Sequence, residues 1–276
     1  MQYLKKWLIV FIISLTAATW AERPIGIIGA LDEEIQMLDA KLTDKKLSVH
    51  LGIKFHQGKL NGRSVVILKS GMGKVNASMS AALLLDRFDP AVVIFTGIAG
   101  GIDPNLQPGD IVIGEKLIQY DYGIYNHRGF QTGPSVNPIT DKPNPLFLQS
   151  APELVILALT VAHLVPFENA GTNPNGKVSV VGGIIASGDA FIASTDKSKE
   201  LRRAYQARAV EMEGAAIAQV CTQADCPFII IRCLSDSADN MADADLVRFL
   251  KVSARNSAML AEAMVQRLPA KNAPEK

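Results

Sequence analysis

The sequence predicts a single α/β domain built on a mixed, mostly parallel twisted sheet flanked by helices. Three observations carry that expectation. Apolar, β-branched runs such as Phe228-Ile229-Ile230-Ile231 have the composition of parallel strands buried on both faces. Strand-like runs alternate with segments whose apolar residues recur at helical spacing. Asn61-Gly62 joins two strand-like runs and is the strongest two-residue signal for a hairpin, so part of the sheet runs antiparallel.

With 276 residues, 48% of them hydrophobic, and a formal net charge of +1, the chain can bury a large core and lies outside the composition of disordered proteins. Near neutrality, with no charge block, also argues against nucleic acid as a partner. Lys5-Lys6, an apolar run from Trp7 to Leu15 and small residues up to Ala21 have the layout of a secretory signal peptide. We expect residues 1–21 to be removed and the remainder exported, to the periplasm or the medium, without stable membrane association. The rival reading is an uncleaved anchor, for which the apolar run is short, since a span needs roughly 20 residues. No cysteine near the junction supports a lipid anchor. Residues 22–268 then form the domain, and 269–276 a polar tail.

Export permits disulfides, but Cys221, Cys226 and Cys233 all fall in core-like sequence, so buried thiols are expected, with a Cys221–Cys226 link as the alternative. The cysteine spacing suits no zinc motif and His50, His56, His127 and His163 are scattered. Neither a metal nor a cofactor is expected.

Taken in order, the elements follow from local sequence. Ile25 to Ala30 reads as a short buried strand, and Leu31-Asp32-Glu33-Glu34 opens a helix continued by Ile35, Leu38 and Leu42. The helix dipole accounts for acidic residues in a first turn, yet one of these follows the strand's carboxyl end and could reach a crevice there. Phe55 to Leu60 and Ser64 to Ser70 are the hairpin strands. Ser70-Gly71-Met72-Gly73-Lys74 opens a helix through Leu85; it lacks the first glycine and the hydroxyl of a phosphate loop, so a tight strand-to-helix turn is expected. Ala91 to Phe95 is a buried strand, and Thr96-Gly97-Ile98-Ala99-Gly100-Gly101 a glycine turn letting a ligand touch backbone. No acid is placed to complete a dinucleotide site.

Ile111 to Ile118 is a further strand. From Gln119 to Gly176 the chain is rich in Pro, Asn and Gly and only Pro152 to Leu164 looks helical, which predicts a long excursion acting as lid or partner contact. Val178 to Ser187 is a strand that leaves through Gly188-Asp189-Ala190-Phe191-Ile192, where Phe191 is either a core aromatic or a plate for a planar ligand. Asp196 to Tyr205 and Asp243 to Leu268 are helices.

Arg208 to Asp239 carries the densest functional signal. Val210-Glu211-Met212-Glu213 reads as a strand end feeding a helix with Ala216, Ile217, Val220 and Cys221 on one face. Phe228 to Ile231 is a buried strand that breaks into Arg232, Ser235 and Asp236. Ligands of open α/β sheets collect beyond the carboxyl ends of strands, so two carboxylates and an arginine would converge at one edge. The plainer reading makes Glu213 and Asp236 helix-terminal groups.

GIIGALDEE, KSGMGKVNAS, TGIAGGI, QPGDIV, ASGDAFI, VEMEGAAIAQV and IIIRCLSDSAD, in this order along the chain, resemble the 5′-methylthioadenosine/S-adenosylhomocysteine nucleosidases of the purine nucleoside phosphorylase superfamily. The resemblance implies a single nucleoside phosphorylase-like domain, a homodimer, and hydrolysis of the N-glycosidic bond of adenine nucleosides to adenine and free thioribose. It implies Asp236 as the general acid toward adenine N7 and Glu34 as the residue that orients and deprotonates the attacking water. It implies that Glu213 grips the ribose hydroxyls with Met212 against the sugar, that Phe191 stacks on adenine while the Ile192 backbone reads its edge, and that Gly100 lies against the substrate. Arg232 and Ser235 would support the water and the acid, and Leu31, Ile98 and Ala99 would complete the pocket.

Ile98 stands where many of these enzymes carry Ser or Thr. Leu31 and Leu246 replace bulkier Met and Phe around the 5′ substituent, and the 119–176 segment matches poorly. Two competing readings are a nucleoside phosphorylase and an exported nucleoside-binding protein. The first needs several donors for a phosphate dianion, where this chain offers Asp32-Glu33-Glu34; the second needs no acid and no base.

Overall fold

β1 (Ile25–Gly29) runs into α1 (Asp32–Ala40), and a meander follows of β2 (Thr43–His50), β3 (Ile53–Leu60) and β4 (Arg63–Lys69). These come from a computed structural model that describes residues 23–173 and 175–268; the signal peptide and the tail expected from the sequence lie outside the described residues. α2 (Lys74–Phe88) leads to β5 (Val92–Gly101) and β6 (Ile111–Gln119). Next come the short strands β7 (Gly123–Asn126), β8 (Gly129–Thr132), β9 (Val136–Asn137), β10 (Lys142–Pro143) and β11 (Leu148–Gln149), then α3 (Pro152–Ala162). β12 (Val180–Ser187), α4 (Thr195–Tyr205), β13 (Ala207–Glu211), α5 (Gly214–Gln223), β14 (Phe228–Asp236) and α6 (Ala242–Arg267) complete the fold.

The main sheet runs β11-β6-β12-β13-β5-β1-β4-β3-β2, and β14 bridges β5 and β6. β5, β14, β6, β12 and β13 therefore close a ring, from which β1, β4, β3 and β2 continue as open sheet. The sheet is mixed. β1 lies parallel to β4 and β5, β12 to β6 and β13, and β14 to β5. Antiparallel pairs are as numerous, because β13 enters against β5 and β14 against β6, while β11 and the meander add the others.

Side chains alternate across each strand, so a buried strand feeds two cores. Ile229, Ile231 and Cys233 of β14 pack with residues of α1, α3 and α6, such as Leu38, Ala158 and Met264. Phe228, Ile230 and Leu234 face the other way, onto Leu84 of α2 and Ile217 of α5. A third cluster sets Leu201 of α4 against Ile118, Ala186 and Val210. Cys221, Cys226 and Cys233 are buried free thiols. Among the described residues no helix is long and apolar enough to cross a membrane.

Asn61 and Gly62, at φ 51° and 78°, adopt the left-handed pair that a type I′ turn requires. Leu51 and Gly52, at φ 50° and 83°, repeat it between β2 and β3. The sequence reading missed β2, whose Thr-Asp-Lys-Lys start is polar and whose turn begins with leucine, a residue that rarely adopts positive φ. Two further corrections concern the site. The glycine segment after Phe95 is not a turn: Thr96 to Gly101 continues β5. Likewise the strand from Phe228 does not break at Arg232 but runs on to Asp236, because both edges of β14 are paired. The long excursion also holds more order than its composition suggested, with β7 pairing β8 and β9 pairing β10.

Candidate active site

A cavity of about 130 Å³ opens beyond the carboxyl ends of β1, β13 and β14, along the last residues of β5. Leu31, Glu34, Ile98, Ala99, Gly100, Phe191, Met212, Glu213, Ser235, Asp236 and Leu246 all line it. Ile192 lies at a small adjoining recess that shares Gly100, Phe191 and Met212 with it. Phe191 is 45% exposed, which removes the core-aromatic reading. A roomier cavity of about 210 Å³ sits at the opposite ends of β1 and β5, among Ile25, Val92 and Leu268, and does not contain these carboxyls. Placement at strand carboxyl ends and chemistry select the first.

Glu34 comes from the first turn of α1 and is buried. Its Oε2 accepts from the Ala30 and Leu31 N–H groups at 2.5 and 2.9 Å, and its Oε1 from the Ile98 N–H at 2.9 Å. Burial pushes the carboxyl upward, while Arg232 and these three amides oppose that shift. The Ile98 contact is made by backbone, so the identity of that side chain does not affect it. Beside it, Gly97 of β5 leaves room that no other residue would: a methyl there would collide with both Arg232 Nη1 and Glu34 Oε1.

Asp236 is aimed by an irregularity in β14. Leu234 pairs with Ala99 and Asp236 with Gly100, so Ser235 is an extra residue, a β-bulge that redirects the strand end. Asp236 Oδ2 accepts from Ser235 Oγ and Oδ1 from the Ala238 N–H, both at 2.8 Å. Ala238 holds φ 48°, an unfavourable left-handed conformation for alanine next to the site. A Cβ on Gly100 would come within 2.8 Å of Asp236 Oδ1. Burial raises the Asp236 carboxyl, and the two hydrogen bonds counter only part of the shift.

Arg232 does not line the cavity; it lies behind it, fully buried in mid-strand with its guanidinium 3.7 Å from the Phe95 ring centroid. Its Nη2 contacts Glu211 Oε2 at 2.6 Å and stands 3.6 Å from Glu213 Oε2. Glu211 is the site residue that the sequence reading passed over. Its carboxylate also accepts from the Glu213 and Gly214 N–H groups and from Ser187 Oγ, satisfying the start of α5. Glu213, at the N-cap position, sends Oε1 to the Gly73 N–H at 2.7 Å. Burial and the neighbouring Glu211 charge lift Glu213 to about 7, against the pull of Arg232. The glycine turn at 71–73 thus holds a carboxylate of the protein. Met72 and Leu250, also passed over, line the cavity, as do Ala30, Val210 and Glu211 itself.

A family model described as the phosphorylase superfamily matches residues 24–266. The chain belongs to that superfamily. Within it, the chain is 38% identical over 250 residues to the 5′-methylthioadenosine/S-adenosylhomocysteine nucleosidase of Psychromonas ingrahamii, covering 88% of this chain and 99% of the relative, so it is a member of that nucleosidase family. The nucleosidase of Colwellia psychrerythraea, solved in complex with adenine, superposes with a TM-score of 0.79 at 36% identity, covering 91% of this chain and 98% of that one. The futalosine hydrolase of Helicobacter pylori gives a TM-score of 0.76 at 29% identity over 90% and 99% of the two chains. The nucleosidase family's fold therefore extends across the cavity and the elements that supply its carboxyls.

Proposed function

We infer that this chain hydrolyses the N-glycosidic bond of adenine nucleosides such as 5′-methylthioadenosine and S-adenosylhomocysteine, releasing adenine and the free thioribose. The carrying observation is the convergence of two buried carboxyls with raised pKa, Glu34 and Asp236, on one cavity. Water adds at C1′ of the ribose as Glu34 takes its proton; the bond to the base breaks, and Asp236 gives a proton to adenine N7. Burial favours the protonated form of Asp236, which suits it as the acid. Arg232 and the three amides act against burial and favour the ionised form of Glu34, the form a base needs. Glu213 accepts from the ribose diol, Met212 packs against the sugar and Phe191 against the base.

A phosphorylase would need free donors to hold a dianion. Here the Gly73 N–H is taken by Glu213, Arg232 lies behind the cavity wall with Nη2 on Glu211, and the charged groups lining the cavity are carboxyls. A protein that only binds nucleosides gains nothing from a placed acid and base. The deciding assay incubates the mature protein with methylthioadenosine, adenosylhomocysteine, adenosine, inosine and futalosine, with and without phosphate, and identifies the sugar. Free sugar from the adenine nucleosides is expected; sugar 1-phosphate would overturn the reading.

We also propose a homodimer whose interface takes in the start of α2 and the β7–β8 hairpin. Met72, Val75, Met79, Ile124, Tyr125 and Phe130 are all exposed there, and Met72 reaches the cavity. A fully active monomer in sedimentation would refute this. Export is the remaining proposal, supported by the Lys5-Lys6 and Trp7 to Leu15 pattern. N-terminal sequencing should find a protein starting near Glu22, and an intact start on a cytoplasmic protein would overturn it.

A further inference from the structure

α2 has no side-chain cap of its own, because glycine stands at its N-cap position. Distant carboxylates take its first amides: Glu213 accepts from Gly73, and Asp189 Oδ1 accepts from the Lys74 N–H at 2.7 Å. The Lys74 side chain then turns to Asp121, with Nζ 2.6 Å from Oδ1, and stands 4.0 Å from Asp189 Oδ2. Asp189 closes the loop by donating its own N–H to Asp121 Oδ2 at 2.8 Å. Three residues from three separate segments are thereby joined by alternating charge and backbone hydrogen bonds. An isolated exposed ion pair contributes little. This one is different in kind, since the Lys74 side chain is only 15% exposed and each carboxylate also accepts a backbone amide.

The position of the network matters more than its strength. Met72 lies two residues before Lys74 and Phe191 two after Asp189, and both side chains line the cavity while remaining open to solvent. They therefore form its rim. We propose that Lys74, Asp121 and Asp189 act as a latch that holds the Met72 turn and the Phe191 loop in register across the cavity mouth. They are positioning residues for the hydrolysis proposed above, on which this inference rests; none of the three lines the cavity.

The test compares wild type with Lys74→Met, Asp121→Asn and Lys74→Arg. Turnover of methylthioadenosine by wild type tests the functional reading alone. The latch is read separately, by hydrogen exchange at residues 71–74 and 188–192, which needs no turnover. Lys74→Met is expected to speed exchange at both segments but not within 228–236, and to raise KM about tenfold with a smaller fall in kcat. Asp121→Asn should act in the same direction, less than additively with Lys74→Met. Lys74→Arg, which restores the charge opposite Asp121, should recover most of the loss. Unchanged exchange and KM in Lys74→Met would overturn the latch. So would a uniform loss of thermal stability and kcat that arginine does not rescue.

Discussion

Glu213 Oε1 accepts the Gly73 N–H across 140 residues of sequence, so the group assigned to the ribose is already held between the N-termini of α2 and α5. That carboxyl does not have to be recruited when substrate arrives. Its loss is therefore a loss of binding made before the bond breaks, and Glu213→Gln should weaken affinity as well as turnover. Asp236→Asn keeps the shape but cannot transfer a proton, so turnover should fall by about 10²- to 10⁴-fold with substrate still bound. Glu34→Gln should likewise spare binding. A binding titration beside a rate assay separates the three, and near-normal turnover in Asp236→Asn would remove it from the mechanism.

The same carboxyl makes stability depend on pH. Glu213 is raised from 4.5 to about 7, so between those values the folded protein holds a proton that the unfolded chain releases. The contribution is fully present below 4.5 and is lost as pH rises through about 7. Its slope is at most about 1.4 kcal/mol per pH unit for one proton. Glu34 and Asp236, also raised, act with the same sign. Urea midpoints measured across this range should decline with pH, and Glu213→Gln should flatten the decline.

Gly97→Ala removes no ionisable group, yet it should abolish most activity. The added methyl would occupy the space where Arg232 Nη1 and Glu34 Oε1 approach the backbone. Overpacking of this kind costs typically about 1–3 kcal/mol. A thermal melt and an assay check it; a variant with wild-type rate and Tm would show that the two charged groups can shift without consequence.

Glu211 makes the closest ion-pair contact with Arg232, whose Nε and Nη1 are buried without a hydrogen-bond partner among the described residues. Glu211→Leu should destabilise the fold by about 3 kcal/mol or more, because it leaves a buried charge short of its partner. Adding Arg232→Met should recover part of that stability but none of the activity. Denaturant titration of the single and double variants tests the coupling.

Most strands and helices were legible because each has its own pattern, such as the unbroken apolar run at Phe228 to Ile231 or the Asn61-Gly62 turn. The site was legible in its residue types and not in its geometry. Alternation along a strand would put Glu211 and Glu213 on one face, but β13 ends at Glu211 and Glu213 becomes the N-cap of α5. Both carboxylates border the cavity, and nothing local distinguishes the one that makes the closer contact with Arg232 from the one that reaches the Gly73 N–H. Nor does the run Leu234-Ser235-Asp236 announce a bulge, which arises only when β14 is laid against Ala99 and Gly100. The glycines of β5 resembled a turn for the same reason. Their purpose is a close approach by side chains from α1 and β14, and that contact is absent from any short window of sequence.

The ring of β5, β14, β6, β12 and β13 has a consequence for the order of assembly. β5 ends at Gly101, yet one of its neighbours begins only at Phe228, and until that late strand is laid between β5 and β6 the ring stays open. Pairings between such distant segments are slow to form, because chain entropy must be spent before the contacts return it. A nascent chain emerging from the ribosome can fold its early meander but cannot build the acid's position at all. The site is therefore completed late, and a chain truncated before Asp236 would lack both the strand that closes the ring and the carboxyl proposed as the acid.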